Sequence, residues 1–127
     1  MYTDRQLLDM AKEAMKHSYS PYSHFTVGAC VLMKNGSLYT GCNIENSSYG
    51  ASNCAERTAI FKAVSDGQSE FDRIAIVCSS GGKAYPCGIC RQVMSEFFRG
   101  DEHIILEDKD GIYSYSIDEL LPYAFKL

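Results

Sequence analysis

Helical and strand-like patterns alternate along this chain of 127 residues, and that alternation restricts the folds that it can adopt. Such an order is typical of three-layer α/β folds, so we expect a mixed five-stranded sheet between layers of helices. No repeat, linker or low-complexity stretch interrupts the pattern, which predicts one domain over residues 1–127. The predicted elements are helices over 3–17, 54–67 and 87–100, strands over 27–33, 38–43, 74–78, 103–108 and 112–116, and a short last helix that is capped by Ser116 with Glu119 and broken at Pro122.

The charge and the apolar pattern exclude several kinds of partner. The formal net charge is −4 and there is no run rich in Lys or Arg, which argues against a nucleic acid polymer as ligand. A single nucleoside carries no phosphate and is not excluded. The chain has no apolar run long enough to span a bilayer and its first residues have no signal-peptide core. We therefore expect a cytoplasmic protein without a membrane partner, with cysteines that are reduced.

Three of the six cysteines lie where predicted helices begin. Cys54 opens one helix, and Cys87 with Cys90 opens the next. If these helices follow neighbouring strands on one face of the sheet, their N-termini meet at one edge, where helix dipoles and free N–H groups favour thiolates. A CxxC pair can bind one metal ion, and Cys54 supplies a third sulfur. Three protein ligands and one open position are typical of a catalytic zinc site.

Charged residues close to these cysteines support the same interpretation. Glu56, two residues after Cys54, can lie beside the open position without binding the metal, and a hydrolytic zinc needs such a proton carrier. Three thiolates and Zn²⁺ carry a net charge of −1, which needs compensation by positive charge. Arg57 and Arg91 are the candidates for that role.

Two other interpretations of the cysteines stay open at this point. A CxxC pair can catalyse thiol–disulfide exchange, although that role leaves Cys54 and Glu56 unused. A closed structural zinc could recruit Cys30, Cys42 or Cys78, although all three lie in strand patterns where a free cysteine usually behaves as a small buried hydrophobe. The spacing favours a catalytic zinc over both.

The segments CAERTA and PCGICRQV together resemble the zinc signature of the small, homotetrameric cytidine deaminases. The similarity extends to YSPYSHFTVGA, GCNIENSSYG and LLPYAF, and so over nearly the whole chain. It implies one zinc ion per subunit, held by Cys54, Cys87 and Cys90, with Glu56 as the proton carrier. It also implies hydrolytic deamination of cytidine and 2′-deoxycytidine to uridine and 2′-deoxyuridine, with release of ammonia, in pyrimidine nucleoside salvage.

The resemblance further implies which residues bind the substrate. Asn43 and Glu45 resemble the pair that binds the ribose 3′-hydroxyl, and the backbone N–H of Ala55 resembles the donor to the pyrimidine carbonyl. Phe25 and Tyr49 resemble aromatic residues of the pocket wall. Without the resemblance, NIEN would be an ordinary polar loop and both aromatic residues would be interpreted as packing.

The resemblance also implies that the end of the chain contributes to the active site of a neighbouring subunit. Phe125 resembles the phenylalanine that reaches from one subunit and stacks on the substrate base bound in the next. Three residues depart from the usual pattern of these deaminases, namely Thr26, Ile89 and Tyr123, and Tyr123 could alter how this tail docks. Two functional alternatives remain: a zinc-stabilised binding module without activity, and an aminohydrolase of a cytosine-containing antibiotic.

Overall fold

The computed structural model describes all 127 residues, and it confirms the predicted order of helices and strands. The predicted cap of Ser116 with Glu119 is formed as a capping box, and Thr3 with Gln6 forms another at the start of the first helix. A short 3₁₀ turn over Tyr49–Ala51, which the sequence did not predict, lies before the second helix. The elements are α1 (Asp4–Met15), β1 (Val27–Met33), β2 (Leu38–Cys42), α2 (Ala55–Ser65), β3 (Phe71–Cys78), α3 (Gly88–Phe97), β4 (His103–Asp108), β5 (Gly111–Tyr115) and α4 (Ile117–Leu120).

The five strands form one mixed sheet in the order β2-β1-β3-β4-β5. β1 is antiparallel to both β2 and β3, whereas β3 and β4 are parallel and β4 and β5 are antiparallel. The parallel pair is the one that is joined through a helix, α3, because a parallel connection must cross back over the sheet. The prediction of a mixed five-stranded sheet is confirmed.

Alternation along the central strands gives the sheet two apolar faces. On β1, Cys30 and Leu32 pack with α1, whereas Ala29 and Val31 pack on the opposite side. β3 and β4 alternate in the same way, and the side opposite α1 is covered by residues of α2, α3 and α4. The three-layer α/β/α arrangement follows from this two-sided burial.

The helices that carry the candidate ligands begin at the same edge of the sheet, although not for the reason that the sequence suggested. The convergence was predicted for helices that follow neighbouring strands, but β1 lies between β2 and β3. Since both β2 and β3 are antiparallel to β1, they run in the same direction, and the helices that follow them start at the same edge. None of the helices has the length and apolar character needed to cross a bilayer.

The backbone of α2 passes close to Gly41 on β2. A Cβ atom added there would lie 2.6 Å from the carbonyl oxygen of Ala55 and 2.6 Å from the amide nitrogen of Ala59. We expect Gly41→Ala to lower the free energy of unfolding by about 1–3 kcal/mol, because α2 must move away from the sheet. Urea unfolding monitored by circular dichroism measures this change.

Gly50→Ala is the matched control, because a Cβ atom at Gly50 meets nothing within 4 Å. Equal stabilities of the two variants would contradict the close approach of α2 to Gly41.

Candidate active site

Cys54, Cys87 and Cys90 form a cluster in which the three sulfur atoms lie within 4.8 Å of one another. Cys54 is the N-cap of α2 and Cys87 is the N-cap of α3, and neither side chain accepts a capping hydrogen bond from the backbone of its helix. Cys90, buried in the first turn of α3, completes the cluster. Three sulfur ligands fit zinc, whose preferred geometry is tetrahedral, and leave its fourth position open.

The remaining cysteines lie outside this cluster. The Sγ atom of Cys30 is 4.0 Å from the sulfur of Met10 in the core beneath α1, and Cys78 Sγ lies 3.2 Å from Ser80 Oγ. Neither of them, nor Cys42, belongs to the group of three that could hold a metal ion. The closed four-cysteine site considered from the sequence is therefore not formed.

Glu56 is buried beside the cysteine cluster, with 4% of its surface exposed. Burial, and next the negative charge of the Cys54 sulfur, raise the pKa of Glu56 to about 7. A carboxyl group with such a pKa can both accept and give up a proton near neutral pH, which suits a general acid–base.

Arg57 supplies positive charge to the cluster. Its Nη2 atom donates a hydrogen bond of 3.2 Å to Cys54 Sγ. A hydrogen bond from Cys90, and then the Arg57 guanidinium, lower the pKa of Cys54 to about 5, so Cys54 is a thiolate at neutral pH. The hydrogen bonds of Arg91, the other candidate for this role, go to two backbone carbonyl groups, of Pro86 and Leu120.

A cavity of about 460 Å³ opens onto this cluster. Its volume lies within the usual range for sites that bind small molecules. Its wall includes two cysteines of the cluster and the buried Glu56. The residues of the sequence prediction that line it are Phe25, Asn43, Glu45, Cys54, Ala55, Glu56 and Cys87.

Asn43 is held by the backbone around the start of β1. Its Nδ2 atom donates to the carbonyl oxygen of Phe25 (2.8 Å), and its Oδ1 atom accepts from the amide of Val27 (2.9 Å) and from Ser18 Oγ. Asn43 therefore fixes the loop that presents Phe25 to the cavity, in addition to lining the cavity itself.

Glu45 is held by the loop that precedes Phe25. Its carboxylate accepts from the amides of Tyr22 (3.0 Å) and Ser23 (3.1 Å) and from the hydroxyl of Ser23. The hydrogen bond from the Ser23 hydroxyl is the main cause that lowers the pKa of Glu45, so the group is ionised at neutral pH. An oriented carboxylate of this kind can accept a hydrogen bond from a hydroxyl group.

Two of the predicted substrate-binding residues lie outside this cavity. Tyr49 is 81% exposed and lines a second cavity of about 450 Å³, which shares Ser23 and Glu45 with the first. Phe125 is 69% exposed, and its backbone carbonyl accepts a hydrogen bond from Gln92 Nε2 (3.0 Å). A single chain thus leaves both rings uncovered.

Sequence reasoning missed the other residues that line the cavity, which are Ser23, Val27, Cys78, Ser80, Lys83, Ala84 and Tyr85. Ser23 lies in the segment YSPYSHF, whose serines and proline are typical of a turn-rich loop. Lys83 and Tyr85 lie in the loop SSGGKAYP, which has no periodicity that could indicate where its side chains point. The only local indication that this loop lines the cavity was its place directly before Cys87 in the sequence.

Comparison with known proteins extends these observations. Residues 1–106 match the family model described as the cytidine and deoxycytidylate deaminase zinc-binding region. A cytidine deaminase of Sporosarcina psychrophila is 48% identical over 121 residues, which cover 94% of this chain and 89% of that protein. A cytidine deaminase of Halalkalibacterium halodurans is 49% identical over 124 residues, with 96% and 94% covered.

A solved structure gives the same result for the fold. The crystal structure of a cytidine deaminase from Burkholderia pseudomallei superposes with a TM-score of 0.91 and 43% sequence identity, covering 98% of this chain and all of that one. The fold and a cysteine triad suited to zinc place the chain among the zinc-dependent deaminases. Within that class, the chain belongs to the cytidine deaminase family. It is an enzyme of that family with zinc as its cofactor.

Proposed function

We propose that this enzyme converts cytidine and 2′-deoxycytidine, with water, to uridine and 2′-deoxyuridine and ammonia. One observation carries the proposal: the buried carboxyl group of Glu56 lies beside three cysteine sulfurs at the wall of a cavity large enough for one nucleoside. A structural zinc site has no need of such a carboxyl group, whereas hydrolysis of an amino group requires proton transfers.

Cys54, Cys87 and Cys90 hold the zinc ion, which when bound makes water a nucleophile near neutral pH. Glu56 would accept one proton from the attacking water and deliver it to N3 of the pyrimidine while the water oxygen bonds to C4. It would then carry the second proton of that oxygen to the amino group on C4, whose C–N bond breaks so that ammonia leaves and the C4 carbonyl of uridine forms. Arg57 stabilises the ionised sulfur of Cys54 throughout.

The substrate is oriented by groups on both sides of the cavity. The backbone N–H of Ala55 is in the first turn of α2, where amides have no partner within the helix, and it donates to the pyrimidine carbonyl. Phe25 forms part of the wall beside the base. Glu45 and Asn43 bind the ribose 3′-hydroxyl, a role that the fixed orientation of the Glu45 carboxylate supports.

We also propose that the active enzyme is a cytoplasmic homotetramer of one-domain subunits, whose active sites are completed by neighbouring subunits. The exposed rings of Tyr49 and Phe125 support this assembly, since each could cover the cavity of another copy. All six cysteines are free, which suits a reducing compartment.

An absorbance assay of the zinc-loaded enzyme on cytidine, 2′-deoxycytidine and cytosine tests the proposed function. We expect turnover of both nucleosides and much slower turnover of free cytosine, which lacks the sugar that Glu45 binds. Cys87→Ala is the control and should lose both zinc and activity. A folded, zinc-loaded protein that is inert on both nucleosides would indicate a binding module or an enzyme for another cytosine compound.

A further inference from the structure

Three consecutive residues of α3 make contacts in three different directions. Cys90 contributes its sulfur to the cysteine cluster. Arg91 donates from Nε to the carbonyl oxygen of Pro86 (2.7 Å) and from Nη1 to that of Leu120 (2.7 Å). Gln92 donates from Nε2 to the carbonyl oxygen of Phe125 (3.0 Å). One turn of α3 therefore contacts the cysteine cluster, the loop that precedes Cys87 and the end of the chain.

The two carbonyl groups that bind Arg91 belong to different segments, the loop before Cys87 and the end of α4. Pro86 directly precedes the ligand Cys87, so its carbonyl is part of the loop that positions this sulfur. Leu120 is the last residue of α4, where the tail formed by residues 121–127 begins. Carbonyl groups at the end of a helix have no partner within it, and the half-buried guanidinium satisfies this one.

We infer that Arg91 is a positioning residue that couples the Cys87 loop to the base of the 121–127 tail. Because a guanidinium is planar and rigid, its two hydrogen bonds fix the distance between the segments rather than tethering each one loosely. The loop that places a zinc ligand and the tail that carries Phe125 then move together. Only the effect on cytidine turnover rests on the proposed function.

A second contact joins the same loop to the same end of the chain. Lys83 Nζ donates to Tyr115 Oη (3.2 Å), and the hydroxyls of Tyr85 and Tyr115 lie 3.1 Å apart. Tyr115 ends β5, and α4 follows after a single residue. The loop before Cys87 is thus held from two sides by residues 115–120, with Arg91 as the contact nearest to the ligands.

Arg91→Met tests the coupling through two measurements that do not depend on activity. The first is the rate at which zinc passes to a chromophoric chelator, and the second is amide hydrogen exchange in residues 121–127. We expect zinc release to be about tenfold faster or more, which is the scale of two lost charge-assisted hydrogen bonds, together with faster exchange in the tail. Arg91→Lys should be intermediate in both, because one ammonium group cannot reach both carbonyls with the same geometry.

Two control variants separate coupling from a general loss of stability. Gln92→Ala removes a contact to the tail alone, so it should speed exchange in residues 121–127 and leave zinc release unchanged. Arg99→Met removes an exposed arginine whose side chain makes no hydrogen bond, so both measurements should stay as in the unmodified protein.

Zinc release at the unmodified rate in Arg91→Met, or unchanged exchange in its tail, would overturn the inference. If Arg91→Met does not fold, Arg91→Lys decides in the same way, and unchanged values in that variant overturn the coupling. On cytidine, we expect both Arg91 variants to raise KM more than they lower kcat. An unmodified enzyme without activity, in which Arg91 still controls zinc release, would refute the proposed function and leave the coupling intact.

Discussion

Glu56→Gln should keep its zinc and lower kcat on cytidine by roughly 100-fold or more, the usual scale for loss of a general acid–base. Glutamine has nearly the same shape as glutamate and fits the same buried site, where 4% of the glutamate surface is exposed. Its amide, however, cannot accept and return a proton at neutral pH. The three sulfur ligands are untouched, so metal content should stay at one zinc ion per subunit. Metal analysis and steady-state kinetics on the same preparation measure both quantities.

Glu102→Gln is the matched control for this variant. Glu102 is also buried, and its carboxylate accepts hydrogen bonds from the backbone amides of Arg99 and Gly100 at the end of α3, away from the cavity. This variant should unfold at a lower urea concentration while its kcat stays close to that of the unmodified enzyme. Full zinc content with near-normal turnover in Glu56→Gln would rule out proton transfer by Glu56.

The sequence predicted the elements well where local chemistry is specific. The strands over 27–33 and 103–108 have the predicted bounds, because alternating apolar residues end at the turns NGS and KDG. The order of strands in the sheet was not predictable, because hydrogen bonds between distant segments decide it. The insertion of β1 between β2 and β3 is a property of the whole sheet.

The cluster of three cysteines was easier to predict than the rest of the cavity wall. Cysteines at helix starts carry a local signal, since helix N-termini and CxxC spacing have a direct physical meaning. The loop of Lys83 and Tyr85 carries none, and its side chains are placed by contacts with Tyr115, thirty residues further on. Leu120, whose carbonyl oxygen binds Arg91, is equally remote in sequence. The sequence showed only that Arg91 adjoins Cys90, and this suggested compensation of the thiolate charge.

Phe125→Ala should raise KM for cytidine by roughly tenfold or more, since stacking of a base on an aromatic ring contributes about 1–3 kcal/mol. The ring is 69% exposed in the single chain and does not line that chain's own cavity, which supports the proposal that it covers the base bound in a neighbouring subunit. Tyr123→Ala is the matched control, because it removes another exposed aromatic ring from the same tail. An equal rise of KM in both variants would mean that a general disturbance of the tail, and not loss of the Phe125 ring, weakens cytidine binding.

Mixing two inactive or weakened subunits tests whether Phe125 acts across the interface. Each Phe125→Ala subunit keeps Glu56, and each Glu56→Gln subunit keeps Phe125. In a reassembled mixture, some cavities with an intact Glu56 are then covered by an intact ring from next door. We expect such mixtures, assayed at low cytidine concentration, to exceed the summed activity of the separate variants. Subunit exchange is confirmed independently by mass spectrometry of differently labelled chains. Exchange without any gain in activity would place Phe125 in its own subunit's site or outside the site, because only a ring contributed by a neighbour can restore a cavity that already has its proton carrier.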